Sequence, residues 1–191
     1  MPSAAFFRAL GLFIRPSFFD VDTCHQVIEA ICSAPSATPA RVDSGPGIDE
    51  MLDEKVRRTR VVHVADTVRQ SIAARLQAVM PEVADHFDVN LVEIQKPQFL
   101  VYRPGDFFTT HRDRDPEGAN RRIVSIIAFL NSGKSEFSGG NVKFYGVVGG
   151  KPHPFSFQPE EGLLLAFDSE MFHEVEMVTS GKRYTIVSWF A

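Results

Sequence analysis

The stretch Tyr102–Asp115, YRPGDFFTTHRDRD, holds two residues suited to sharing a metal ion. Alternate side chains of an extended strand project the same way, so His111 and Asp113 offer an imidazole and a carboxylate on one face. A third donor stands in the segment 167–178, FDSEMFHEVEMV, where His173 opens an apolar-alternating run. Two histidines and one carboxylate occupy one triangular face of an octahedron and leave the other three positions open, the pattern of Fe(II) centres that take up O2 beside a second molecule. Ten residues after His173, Arg183 begins the apolar final run RYTIVSWF. A guanidinium in such a strand calls for an anion, and it grips a carboxylate through two parallel hydrogen bonds.

The elements that must position these groups divide near residue 90. Before it, Ala4–Ile14 reads as an apolar helix leading into an entry strand over 12–19, with Pro16 favouring a sheet edge. Asp20 or Asp22 caps a helix reaching Ser33, on which Val27, Ile28 and Ile31 share a face. Residues 34–50, rich in Pro, Gly, Ser and Asp, read as a loop long enough to be a lid, a role that extends to residue 60. Arg57–Val64 alternates as a strand. Asp66 or Thr67 then caps a helix through Val79, and Pro81 opens a further short helix towards His86.

After residue 90 the pattern turns to short β runs at 92–102, 106–111, 122–131, 141–146, 153–158, 162–167, 173–178 and 182–190. Pro104-Gly105, Gly139-Gly140, Gly149-Gly150 and Ser180-Gly181 supply the turns. Eight strands at this spacing suggest a sandwich or jelly-roll barrel. The expected fold is therefore mainly β with N-terminal helices (α+β). It is read as one domain over 1–191, a helical and strand support region (1–90) buttressing a β core (91–191).

His111-x-Asp113, His173 and Arg183, in that order and spacing, resemble the Fe(II)/2-oxoglutarate-dependent dioxygenases, and more closely their prolyl 4-hydroxylase-like branch. Tyr102 and Gly105 precede H-x-D as in that branch. IVSIIAFLN (123–131), Ser138-Gly139-Gly140 and EGLLLAF (161–167) match its strand ending in Leu-Asn, its Gly-Gly pair and its Gly before an apolar strand leading to His. The likeness covers about residues 92–191 and, more loosely, the first strand and helix. H-x-D alone is a weak signal; the ordered set is a strong one.

The resemblance implies a double-stranded β-helix in which His111, Asp113 and His173 hold Fe(II). 2-Oxoglutarate would chelate that iron and place its C5 carboxylate on Arg183, with Tyr102 beside it. O2 is the co-reactant, succinate and CO2 the by-products and a hydroxylated substrate the product; ascorbate is a further implied cofactor. One departure stands out. Some relatives carry a tyrosine before Leu-Asn that also touches the C5 carboxylate, and here the nearby residues are Ile127, Ala128 and Phe129. Arg183 then works with another donor, for which Thr185 is the candidate, or the cosubstrate pocket is altered. Asp113, where halogenases free a site for chloride, argues against halogenation and leaves hydroxylation or another oxidation, such as desaturation, open.

Composition narrows the setting. A net charge of −4 over 191 residues argues against a nucleic-acid partner. Seventeen Phe against three Tyr and one Trp suit an interior of rings that need no hydrogen bond. Phe99, Phe107, Phe108, Phe129, Phe144 and Phe167 are expected to fill the barrel. Cys24 and Cys32 lie about 12 Å apart on one helix, too far for a disulfide, which fits a reducing cytoplasm. Ala4–Ile14 is too short to span a bilayer and lacks a signal-peptide layout, so no membrane is expected; Arg8 and Arg15 with Ser3 and Ser17 give it a faint transit-peptide character.

His25, His63, His86 and His153 read as structural or exposed. Arg112, Arg114, Arg121 and Arg122 read as a solvated loop of mixed charge, with an acidic-substrate rim as the functional alternative. Asp168 or Glu174 is a candidate to orient the His173 ring. The substrate is a peptidyl prolyl or other amino-acid-like group in a peptide or protein, or a small metabolite. A cupin-type metalloenzyme and a non-catalytic jelly-roll binding module are the rivals. Arg183 tells against the first, and the complete metal set against the second.

Overall fold

The computed structural model describes residues 4–42, 51–114, 121–148 and 151–191. The chain begins with a short helix, α1 (Ala4–Ala9), and enters β1 (Leu12–Arg15). Helix α2 (Val21–Ser33) starts where expected: the Asp20 carboxylate accepts the Thr23 N–H at 2.7 Å, satisfying a backbone donor that has no partner inside the helix. The loop read over 34–50 contains strand β2 (Ala37–Pro39) and a bridge between Val42 and Met51; residues 43–50 lie outside the described residues.

The single strand expected over Arg57–Val64 is two strands in two sheets, β3 (Arg57–Arg58) and β4 (Arg60–Val62). Thr59 is the pivot. It is buried, its hydroxyl donates to Val101 O at 2.8 Å, and its carbonyl accepts the Ala40 N–H. Alternation of polar and apolar residues does not reveal such a crossing, because both halves keep the strand period. Helix α3 (Asp66–Phe87) likewise differs from expectation. Ala65 stands at its N-cap without a side-chain bond, and Pro81 sits inside one continuous helix. Pro81 removes one backbone bond, but Ile72, Leu76, Val79 and Val83 are buried on both sides of it and hold the helix together.

The β core runs through β5 (Gln98–Tyr102), β6 (Phe107–His111), β7 (Val124–Phe129), β8 (Phe137–Gly139) and β9 (Val142–Val148). It continues as β10 (Lys151–Phe157), β11 (Leu164–Asp168), β12 (His173–Val175), β13 (Val178–Gly181) and β14 (Arg183–Phe190). The run expected over 173–178 thus breaks into two strands, and Ser180-Gly181 belongs to β13, paired with the unforeseen β8. Residues 92–97 are not strand; Ile94 makes only a bridge to Phe190.

All pairings are antiparallel. A seven-stranded sheet in the order β1-β11-β7-β14-β5-β4-β2 faces a five-stranded sheet, β10-β9-β12-β6-β3. Pro16 follows β1, which is an edge strand, as its missing N–H requires. Strand period 2 divides the larger sheet's side chains. Ile126, Ala128, Val101 and Ile186 pack with Val27, Ile31, Leu76 and Val79 of the helices, whereas Ile127 and Phe129 turn inward to Phe144 and Phe167. The fold is the jelly-roll form of a double-stranded β-helix with helices on one sheet. Among the described residues, no helix is long and apolar enough to cross a membrane.

Candidate functional site

The two sheets bring His111, Asp113 and His173 together. β12 pairs with β6 so that His173 lies opposite His111, although Asp113 itself lies just beyond the end of β6. Backbone N–H groups of Asp113 and Arg114 both donate to Ser169 O, at 3.0 and 2.9 Å, which ties the ligand loop to the turn before His173. His111 Nε2 is 3.7 Å from Asp113 Oδ1, and His173 Nε2 is 3.7 Å from Asp113 Oδ2. Donors bonded at about 2.0–2.2 Å and at right angles lie about 3 Å apart, so one ion closes this set with a movement of less than about 1 Å. Among the described residues, these three form the one group of His, Cys, Asp or Glu side chains near enough to share a metal.

Each donor is braced from behind. His111 Nδ1 donates to Thr109 O at 2.7 Å and His173 Nδ1 to Met171 O at 3.0 Å, which leaves Nε2 of both rings as the lone-pair atom. Ser125 Oγ donates to Asp113 Oδ2 at 2.7 Å and lies 2.8 Å from Ser169 Oγ. Phe108 stacks on His111 at 3.5 Å between ring centroids, and Phe167 meets His173 edge-on. Burial lowers the His173 pKa to about 4, helped by the neighbouring His111, so the imidazole is neutral and able to ligate at neutral pH. Burial pushes the Asp113 carboxyl up, but His173, His111 and the Ser125 hydroxyl outweigh it and hold the group well below the usual carboxylate range.

Arg183 enters the same interior from β14 and is 1% exposed. Its guanidinium carbon lies 4.9 Å from the Tyr102 ring centroid and 5.4 Å from that of Phe129. Nη1 donates to Thr185 Oγ1 at 3.3 Å, whereas Nε and Nη2 are buried without a hydrogen-bond partner among the described residues. Burial pulls the pKa down to about 10, which still leaves the group charged at neutral pH. A buried cation with two unused donors fits a ligand carboxylate, the group that two parallel N–H bonds recognise. Tyr102, directly opposite Arg183 in register, and Thr185 are both brought to it.

The 2OG-Fe(II) oxygenase superfamily matches residues 97–191, the segment that carries every one of these groups. This segment of the chain belongs to the superfamily. A PKHD-type hydroxylase of Picosynechococcus sp. is 32% identical over 91 residues, which are 48% of this chain and 39% of that relative, so the chain spans well under half of its length. A prolyl-4-hydroxylase of Pseudomonas putida has a similar structure, with a TM-score of 0.75 at 21% identity over 99% of both chains. So does a Trichoplax adhaerens prolyl hydroxylase solved with a peptide fragment of a hypoxia inducible factor, with a TM-score of 0.78 at 16% identity over 98% of this chain and 86% of that one. At such identities the structural likeness speaks for the fold.

The site differs from what the sequence leads one to expect mainly in what supports its ligating side chains. Neither Asp168 nor Glu174 orients an imidazole. Asp168 accepts the Glu170 N–H, and Glu174 bonds Thr110 and Tyr145; backbone carbonyls do the orienting. Ser125 and Ser169 are braces that neither residue type nor spacing marks. The one available signal was a serine in the otherwise apolar run IVSIIAF, turned inward with Ile127 and Phe129. The arginine rim is partly structural: Arg122 stacks on Trp189 at 3.8 Å and donates to Gln95, while Arg112 lies over Phe172. Phe129, Phe144 and Phe167 do fill the barrel; Phe99 faces the helices, Phe108 stacks on His111, and Phe107 lies beside β3 under Arg58.

Proposed function

We propose that this chain is an Fe(II)- and 2-oxoglutarate-dependent hydroxylase of an amino-acid-like substrate, a peptidyl prolyl or related residue. In this reading residues 1–191 act as one domain, with 1–90 as support and 91–191 as the catalytic core. The observation that carries it is the joint presence, in one barrel interior, of a braced two-histidine, one-carboxylate set and a buried arginine with two unused donors. His111, Asp113 and His173 would hold Fe(II); Arg183 would receive the C5 carboxylate, with Tyr102 and Thr185 shaping its surroundings. When bound, such a centre supplies O2 reduction coupled to decarboxylation of 2-oxoglutarate, one oxygen atom entering succinate and the other a substrate C–H bond.

The chain's own part is binding, orientation and exclusion of water. Nδ1 bonds fix the imidazole tautomers, Ser125 fixes the carboxylate rotamer, and the rings of Phe108, Phe144 and Phe167 keep the metal face apolar. O2 and an organic substrate are the required partners; ascorbate and a cytoplasmic setting belong to the proposal. The test is anaerobic titration with Fe(II) and 2-oxoglutarate. A weak visible charge-transfer band is expected, with succinate formed on admitting air. No band at saturating iron would sink the reading.

A further inference from the structure

The five-stranded sheet ends on β3, and its Arg57 is paired with Phe108. Directly paired residues of antiparallel strands project from the same face. Phe108 in turn stacks on the His111 ring with planes only 16° apart, so that face is the one bearing the metal donors. The register explains how residues three apart share it. Between the pairs His173–His111 and Val175–Phe108, β12 advances two residues and β6 three, and the bulge re-aims the intervening chain. The Arg57 guanidinium lies 4.7 Å from the Phe108 centroid. It is a second cation on the inner face, at the open edge of the barrel.

A cation–π contact alone would account for an arginine resting on a half-buried ring. It does not account for the hydrogen bonding. Arg57 Nη1 donates to Arg41 O at 3.0 Å, while Nε is buried and has no hydrogen-bond partner among the described residues. Among the described residues, Arg57, Arg58 and Arg60 form no ion pair with an acid. Arg58 repeats the arrangement on Phe107 at 5.8 Å, so the edge is basic and aromatic together. Arg183 lies fully buried between Tyr102 and Phe129, whereas Arg57 is partly exposed and can be reached by a molecule entering from solvent.

We propose that Arg57 binds a carboxylate of the substrate, so that the preferred substrate carries an acidic group beside the carbon that is oxidised. This rests on the oxygenase reading above. A free acid and a glutamyl or aspartyl side chain in a peptide present the same chemistry, and the test separates them.

The probes are blocked prolyl peptides with Glu, Gln or Lys next to the proline, together with free glutamate and glutamine. Each is titrated calorimetrically into the protein loaded with Mn(II) and saturating 2-oxoglutarate. One acidic probe should bind about tenfold or more tightly than its amide, as expected for a charge-assisted pair, and the lysyl peptide most weakly. Preference confined to the peptide, or to free glutamate, names the source of the carboxylate. Arg57→Glu should reverse the order, Arg57→Gln should erase it, and Arg57→Lys should keep its direction. Because the readout is a ratio between probes, it does not depend on the fraction of folded protein. Equal binding across the charge series, binding of none of the probes, or a Glu preference that survives Arg57→Glu would overturn the proposal. Failure of the wild type to take up Mn(II) and 2-oxoglutarate before any probe is added would instead strike the oxygenase reading itself.

Discussion

The two polar regions inside the barrel are finished to different degrees. At the metal end, both imidazoles and the carboxylate have a protein partner behind them, Thr109 O, Met171 O and Ser125 Oγ. At the arginine end, one guanidinium nitrogen has a 3.3 Å contact to Thr185, and the other two have no hydrogen-bond partner among the described residues. Because an unpaired buried polar group costs free energy, the second region is incomplete without a ligand. The difference divides the work: the protein alone preorganises the metal face, and in the proposed reading a cosubstrate carboxylate would complete the other.

Removing a metal donor is the most damaging way to probe this contrast. His111→Ala, Asp113→Ala and His173→Ala should each abolish Fe(II) uptake and reduce succinate formation to background, read by metal analysis after gel filtration and by product assay. Persistent turnover in His111→Ala would show that the braced set is not the metal face. Next in size is Arg183→Met. It should weaken 2-oxoglutarate binding by about 1.5–3 kcal/mol, the usual worth of a charged hydrogen-bonding partner. The same variant should melt no lower than the wild type without ligand, since a buried cation lacking a carboxylate is replaced by an apolar chain of similar length. A large drop in the unliganded melting temperature would mean that the arginine end is complete on its own.

Much of this contrast was legible before the fold. The H-x-D spacing, His173 and the out-of-place Arg183 are strong chemical signals, since charge and imidazole are rare in apolar strands. The jelly roll was legible because its strands keep period 2 between turn residues. The braces were not. Two are backbone carbonyls, which any sequence possesses, and Ser125 and Ser169 are common residues 44 positions apart that only the pairing of β7 with β11 brings together. Thr59 was hidden for a related reason: a strand that changes sheets keeps its alternation. Pro81 misled because local backbone chemistry lost to a buried stripe extending past it on both sides.

Two smaller effects sharpen the comparison. Ser125→Ala should lower Fe(II) or Mn(II) affinity about tenfold, at the modest end for loss of a ligand's outer partner, and Ser125→Thr should recover most of it; the readout is a metal titration. An unchanged affinity for Ser125→Ala would mean that the carboxylate needs no brace. The gentlest probe is acid. Between pH 6.5 and about 4 an unfolded histidine takes up a proton that His173 in the fold refuses. The unfolded chain therefore binds more protons in that window, and the metal-free protein should lose stability as pH falls through it. His173→Gln should flatten that part of a melting-temperature profile, and an identical slope would place the acid sensitivity elsewhere.

Gly140 has a bearing on what length of molecule fits. Its backbone adopts a φ of +64°, and a Cβ there would lie 3.0 Å from Arg183 Cδ and 2.9 Å from a Val178 methyl. The arginine stem is thus backed by main chain, with Tyr102 and Phe129 beside its head. It has nowhere to retreat. For a dicarboxylate stretched between the metal and Arg183, the barrel acts as a ruler with one fixed stop. A diacid one methylene longer must buckle or lift off the metal, and so 2-oxoadipate should be a far poorer cosubstrate than 2-oxoglutarate.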